Sequence, residues 1–129
     1  MKLVTWNVNS IRARKERVIA WLTDHRPDIA CLQETKVEDA AFPRADLEAL
    51  GYQVAIFGQR TYNGVALLAR GPIHDVVCGF GDGVEDPAAR FIAARIDGIR
   101  VASVYVPNGQ AVGSDKFVYK LAWMRRLRS

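Results

Sequence analysis

The chain has 129 residues, of which 50% are hydrophobic and 25% are charged, and its formal net charge is +4. These values are typical of one soluble domain that can bury a core. No signal-like segment opens the chain and no apolar run is long enough to span a bilayer, which argues against a membrane partner and favours a cytoplasmic protein. The positive charge weakly favours a polyanionic partner.

The first part of the chain alternates strand, helix and strand. A strand at 2–7 is followed by Asn9 and Ser10, which suit a helix cap, and Pro27 disfavours helix at the residue before it. A strand at 28–33 comes next, and a strand, helix, strand order predicts a parallel pair. Pro43 suits the first turn of a short helix.

From residue 52 onward, turn residues separate short strands. Asp97-Gly98 predicts a tight hairpin between strands at 90–96 and 99–106. The glycine-rich segment 79–87 is a surface loop and not a phosphate cradle, because its acidic residues would repel phosphate. Further strands are predicted at 52–57, 65–69 and 74–78, and a final helix from about Ser114, with Phe117, Leu121 and Met124 on its inner face.

The two cysteines give no sign of a disulfide or of a metal site. Cys31 and Cys78 both lie in apolar, strand-like runs, so we expect buried, reduced thiols. Neither has histidines at zinc-finger spacing.

Three predicted strands end in polar residues that could meet at one edge. Asn7, Glu34 and Tyr105 each come at the end of an apolar run. A carboxylate and an amide oxygen could hold Mg²⁺, with a phenol orienting a bound phosphate. Simpler interpretations stay open. Glu34 could pair with Lys36, and Asn7 and Asn9 could satisfy hydrogen bonds of the loop backbone. Tyr105 could be a core residue whose hydroxyl is exposed to solvent.

Four motifs occur in the order expected of one family. They are TWNVNSIRAR at 5–14, LQETK at 32–36, YNGVALL at 62–68 and YVPNG at 105–109. Together they resemble exodeoxyribonuclease III, the apurinic/apyrimidinic (AP) endonuclease branch of the endonuclease/exonuclease/phosphatase superfamily. The resemblance implies an α/β fold, the N-terminal half of a two-sheet α/β sandwich with a mixed sheet and outer helices. Residues 1–129 would form the N-terminal part of one domain, truncated within the last helix.

The resemblance also implies an activity and its residues. Relatives hydrolyse DNA phosphodiesters with Mg²⁺, or with Mn²⁺ in its place, at abasic sites and from 3′ ends. Double-stranded DNA is therefore the implied partner, and no obligate protein partner is inferred. Glu34 resembles the metal ligand and Asn7 its neighbour, while Tyr105 resembles the active-site tyrosine. The implied DNA or phosphate contacts are Asn108, Asn9, Lys36, Arg90 and Arg12.

Several motifs of the family are absent from this sequence. These are a Gly-Asp-x-Asn motif, a further aspartate and a Ser-Asp-His, which supply the groups that activate water and protonate the leaving oxygen. His25 and His74 stand in other contexts, so we expect structural or surface roles for both. We therefore expect this chain alone to be close to inert. The alternatives are a non-catalytic DNA-binding module and a phosphoesterase acting on another phosphoester.

Overall fold

Seven strands form two sheets in a computed structural model that describes residues 1–84 and 86–128. The first sheet has the order β1-β2-β4-β3 and the second the order β5-β6-β7. The predicted parallel pair is confirmed in β1 and β2, and the other neighbours are antiparallel. The strands are β1 (Leu3–Asn7), β2 (Ile29–Gln33), β3 (Gln53–Phe57), β4 (Val65–Ala69), β5 (Ile73–Cys78), β6 (Phe91–Ile96) and β7 (Ile99–Val104).

The two sheets pack face to face, as the resemblance implied. Ile29, Leu67 and Ile92 are fully buried between them. A polar bridge also crosses the gap: Gln33 Nε2 donates to Ser103 Oγ at 3.1 Å, and Ser103 Oγ donates to the Leu32 carbonyl at 2.8 Å. Because all of these groups are buried, their hydrogen bonds hold the end of β2 beside the end of β7.

Two helices cover the outer face of the first sheet, and a third packs on the loop that follows β5. These are α1 (Lys15–His25), α2 (Arg44–Glu48) and α3 (Asp115–Arg128), with a 3₁₀ turn at Asp39–Ala41. Val18 and Leu22 of α1 are buried against the first sheet. The predicted start of α1 is wrong, because Asn9 and Ser10 have positive φ and the chain makes a turn before Lys15.

The predicted inner face of α3 is also wrong. Leu121 and Met124 are 38% and 45% exposed, whereas Trp123 is buried. Trp123 packs on Phe80, with ring centroids 5.1 Å apart, and Phe80 lies in turn against Phe91. Contact with the loop that carries Phe80 therefore decides how α3 is rotated. Ser114 caps the helix as predicted, since its Oγ accepts from the Phe117 N–H at 3.2 Å.

Smaller differences concern the edge strands. Strand β7 ends at Val104 and not at 106. The Tyr105 N–H still donates to the Arg90 carbonyl at 2.8 Å, and Pro107, which has no N–H, follows two residues later. Both cysteines are free, but the prediction that Cys78 is buried is wrong, since it ends the edge strand β5. Burial raises the pKa of the Cys31 thiol to about 11. Within 1–84 and 86–128, no helix has the length and apolar character needed to cross a membrane.

Candidate active site

Strands β1 and β2 run side by side and end at the same edge of the first sheet. Asn7 and Gln33 are register partners, so Glu34 leaves β2 next to the end of β1. The Asn7 Nδ2 donates to Glu34 Oε2, and Lys36 Nζ lies 3.7 Å from Glu34 Oε1. Lys36 Nζ also donates to Asn9 Oδ1 at 2.6 Å. We name these four residues, Asn7, Asn9, Glu34 and Lys36, the Glu34 corner.

The backbone of the Glu34 corner is unusual. Asn9, Ser10, Glu34 and Lys36 all have positive φ, which is costly for residues with a Cβ. Backbone bonds hold these conformations, including Ser10 N–H to the Glu34 carbonyl at 2.8 Å and Lys36 N–H to the Asn63 carbonyl at 2.9 Å. Each such residue costs about 1–3 kcal/mol, and strained backbone of this kind clusters at functional sites.

Gly64 supports the corner from the neighbouring strand. Its φ is +97°, and a Cβ there would meet Thr35 Oγ1 at 2.0 Å. Thr35 is buried, and its N–H donates to the Gly64 carbonyl at 3.2 Å. Only glycine therefore lets the chain before β4 approach the Glu34 corner this closely.

Tyr105 reaches the same edge from the second sheet. Burial is the main reason that the pKa of the Tyr105 phenol is raised, and the charge of Glu34 raises it further, while Arg90 acts in the opposite direction. The two sheets thus bring Glu34 and Tyr105, which are far apart in sequence, into electrostatic contact. The expectation that Asn7, Glu34 and Tyr105 meet at one edge of the sheets agrees with this geometry. We call this edge the rim.

Arg90 lies between two aromatic rings. Its guanidinium carbon is 4.9 Å from the Tyr105 ring centroid and 5.7 Å from that of Tyr119. The Arg90 Nη1 donates to the Tyr105 carbonyl at 3.5 Å, and its Nε is buried without a hydrogen-bond partner. An open cleft of about 670 Å³ begins here, with Asn108 and Lys116 on its wall. Asn108 is exposed, and its Oδ1 accepts from the Gln110 N–H at 2.9 Å.

Two further predicted phosphate contacts, Asn9 and Arg12, lie away from the cleft, in the segment between β1 and α1. Asn9 is exposed, and its N–H donates to Asn7 Oδ1 at 3.1 Å, so both asparagines also serve the loop backbone. Arg12 is exposed in the turn before α1, outside any helix. The structure places Arg12 near the corner only through the backbone, because Ile11 N–H donates to the Thr35 carbonyl at 3.0 Å.

Sequence reasoning missed Asp86, Tyr119 and Arg126. The Tyr119 hydroxyl donates to Asp86 Oδ2 at 2.6 Å, and Arg126 Nη1 lies 3.6 Å from the same oxygen. Asp82 accepts from Arg126 Nε at 2.8 Å. Acidic residues in a loop and basic residues in a later helix were the only signal, and many proteins show that signal without a contact.

The donor set of the Glu34 corner suits Mg²⁺ only in part. Among residues 1–84 and 86–128, no three His, Cys, Asp or Glu side chains come together as a metal cage. Glu34 offers one carboxylate and Asn7 one amide oxygen. This fits Mg²⁺, which keeps several waters and binds through one or two carboxylates and substrate phosphates. Both Glu34 oxygens are now engaged by Asn7 and Lys36, so an ion would compete with these contacts.

Comparisons with known proteins agree with this description. A model of the Endonuclease/Exonuclease/phosphatase family matches residues 4–128. Exodeoxyribonuclease III of Haemophilus influenzae is 36% identical over 86% of this chain and 43% of its own length. Among solved structures, an AP endonuclease from Archaeoglobus fulgidus is 46% identical with a TM-score of 0.94, over 98% of this chain and 49% of that one.

A second solved structure is a 3′ phosphatase, NExo, from Neisseria bound to a product DNA hairpin. It is 45% identical, with a TM-score of 0.95, and the match covers 98% of this chain and 49% of that chain. The chain thus spans about half the length of these relatives, and it matches the N-terminal half of the AP endonuclease fold.

Proposed function

Because this chain belongs to the endonuclease/exonuclease/phosphatase family, we propose that it supplies one wall of the active site of a Mg²⁺-dependent nuclease of DNA repair. The proposed substrate is double-stranded DNA with abasic sites or 3′ ends. The observation that carries the proposal is the Glu34 corner, where a carboxylate on a strained backbone lies close to Tyr105. The Tyr105 ring in turn contacts Arg90.

Each group at the rim suits one part of phosphodiester hydrolysis. Glu34 would hold the ion with Asn7 beside it, and a bound Mg²⁺ would neutralise charge on the scissile phosphate. The phenol of Tyr105 is neutral at physiological pH, because its pKa is raised, so it can donate a hydrogen bond to a phosphate oxygen. Arg90 lines the cleft and Lys36 lies in the Glu34 corner, and the positive charge of both favours the DNA backbone.

The described residues include no histidine at this rim. His25 ends α1 and stacks on Trp21 at 4.3 Å, and His74 is exposed in β5, which confirms the expected structural and surface positions. General acid–base catalysis contributes about 10²–10⁴-fold, so we expect the 129-residue chain alone to bind DNA but to cleave it very slowly.

The proposal is tested by DNA binding and cleavage with the purified chain. Fluorescence anisotropy on a duplex with one abasic site should show salt-dependent binding. Lys36→Ala and Arg90→Ala should each weaken binding by about threefold to tenfold and lower the salt slope by about 1. Arg70→Ala is the control, because the Arg70 side chain is exposed and its backbone N–H donates to the Asp28 carbonyl, at the opposite end of β2. Equal losses in all three variants would contradict binding at this rim.

Cleavage of the same duplex distinguishes a metal-dependent nuclease from a DNA-binding fragment. Stimulation by Mg²⁺ that is lost in Glu34→Gln and kept in Glu48→Gln, an exposed carboxylate on α2, supports a metal-dependent nuclease. Binding that needs no Mg²⁺, with no cleavage at any Mg²⁺ concentration, supports a DNA-binding fragment. Rapid turnover by the chain alone would overturn the proposal that it supplies only one wall of the site.

A further inference from the structure

A network of side chains in the wall of the cleft holds Arg90 in place. The guanidinium lies between the rings of Tyr105 and Tyr119, and the two rings reach it from the end of β7 and from α3. Cations over aromatic faces are attracted electrostatically, and planar guanidinium groups also stack. The orientation of Tyr119 therefore decides whether this arrangement persists.

Asp86 fixes the orientation of Tyr119. Its Oδ2 accepts from the Tyr119 hydroxyl at 2.6 Å, and its Oδ1 accepts from the Ala88 N–H at 3.0 Å. The side chain of Asp86 is only 15% exposed, and Arg126 Nη1 lies 3.6 Å from it. Asp86 is thus bound to its own loop and to α3 at once, so it ties the ring of Tyr119 to the chain segment that carries Arg90.

The same segment is also fixed from the other side. Gln59 Oε1 accepts from the Ala89 N–H at 2.7 Å, and the Ala89 carbonyl accepts from the Gly64 N–H at 2.8 Å. With the backbone of Arg90 immobile, the only freedom left is in its side chain. The buried Nε has no hydrogen-bond partner, and Nη1 makes only a long hydrogen bond to the Tyr105 carbonyl at 3.5 Å. Stacking between the two rings is therefore the main contact that orients this side chain.

The geometry points to Tyr119 and Asp86 as positioning residues that hold the Arg90 guanidinium at the mouth of the cleft, ready for a phosphate of the DNA backbone. This inference rests on the proposed function for its ligand, but not for the arrangement itself. A preorganised arginine loses little side-chain freedom when it binds a phosphate, so removal of the Tyr119 hydroxyl should weaken DNA binding through its effect on Arg90.

The first test examines the arrangement without DNA, by NMR of the arginine Nε–Hε group in the full 129-residue chain. In the unmodified chain, the Arg90 Hε should be shifted upfield by the two rings and protected from exchange. Tyr119→Phe and Asp86→Ala should move this signal toward the position of a free arginine. Asp86→Asn, whose amide oxygen can still accept from the hydroxyl, should restore much of the shift. An Arg90 signal unchanged in Tyr119→Phe would overturn the inference.

Tyr52→Phe is the matched control for Tyr119→Phe. The Tyr52 hydroxyl also makes one hydrogen bond within the protein, to the Pro27 carbonyl at 2.8 Å, but it lies outside the cleft. Both variants should lose stability to a similar degree in thermal unfolding. Only Tyr119→Phe should change the Arg90 signal, which separates positioning from general destabilisation.

The second test examines the ligand through DNA binding. Tyr119→Phe should weaken binding of the abasic duplex by about threefold, and its effect should vanish when Arg90 is already alanine. Independent, multiplying losses in the double variant would overturn the inference, because Tyr119 would then act without Arg90. If the unmodified chain shows the Arg90 signal but no DNA binding, the proposed function fails for this chain, while the positioning of Arg90 by Tyr119 and Asp86 stands.

Discussion

Two regions of the rim are built in different ways. The Glu34 corner forms where two parallel strands end, and its conformation is held by backbone hydrogen bonds to neighbouring strands. The region around Arg90, which we name the Arg90 bracket after its members Asp86, Arg90, Tyr105 and Tyr119, is held by side chains from a loop, a hairpin and α3. The corner therefore depends on sheet register, and the bracket depends on docking of α3.

The largest expected effect tests the rigidity of the Glu34 corner. Gly64→Ala places a Cβ against Thr35 at a positive φ, and strain and overpacking together should cost about 2–5 kcal/mol of unfolding free energy. Gly81→Ala is the control, because its φ is also positive at +68° but no atom lies within 4 Å of the added carbon. That variant should cost only about 1–2 kcal/mol. Urea denaturation measures both, and equal losses would show that Gly64 does not support the corner.

A second prediction concerns the ion that the corner would hold. Glu34→Gln should weaken Mg²⁺ binding by about tenfold or more, because the carboxylate is the main ligand offered by this chain. Lys36→Met should strengthen Mg²⁺ binding, since the ammonium 3.7 Å from Glu34 competes with the ion. Calorimetric titration with MgCl₂ measures both changes. A Lys36→Met chain that binds Mg²⁺ more weakly than the unmodified chain would contradict this competition.

The third prediction tests how α3 is tied to the loop at 79–88. A hydrogen bond from Arg126 lowers the pKa of Asp82 to about 2. Since the folded value is depressed, the stabilisation is present above the unfolded pKa of about 3.9 and is lost as pH falls toward 2. Asp82→Asn should abolish this pH-dependent loss of stability, because asparagine does not titrate. Melting temperatures between about pH 4 and 2 should then fall less steeply than in the unmodified chain, and parallel curves would contradict the contact.

The smallest expected effect lies within the Arg90 bracket. Burial is the first cause of the raised pKa of Tyr119, and the hydrogen bond to Asp86 is the second. Asp86→Asn should therefore lower the pKa of Tyr119 toward its usual value of about 10 without restoring it fully. The titration of the tyrosine ¹³Cζ signals by NMR measures the shift. A Tyr119 pKa that rises in this variant would mean that Asp86 does not stabilise the protonated phenol.

Local sequence was enough to predict much of the fold. Asp97 and Gly98 both have positive φ, at 52° and 75°, as a two-residue hairpin turn requires, and the predicted hairpin forms there. Pro43 stands directly before the short helix α2, close to the first turn where it was predicted. These predictions hold because each depends on the conformations that one or two residues allow.

The residues of the candidate site also fall into those that local sequence could identify and those that it could not. Asn7, Glu34 and Tyr105 could be named from the sequence, because each ends an apolar strand and the motifs around them resemble those of one family. Asp86 and Tyr119 could not be named, since a loop acid and a helix tyrosine 33 positions apart carry no local sign of their hydrogen bond. Their meeting depends on how α3 packs against the loop that carries Phe80 and Asp86.

By itself, the sequence determined which segments become strands and helices, where the turns lie and which residues stand at strand ends. These features follow from side-chain periodicity and from the backbone conformations that glycine, proline and asparagine permit. Only the tertiary structure decided that α1 begins at Lys15, that Trp123 and not Leu121 is buried, and that Tyr119 encloses Arg90. Such features are set by contacts between distant segments, whose packing outweighs local preference.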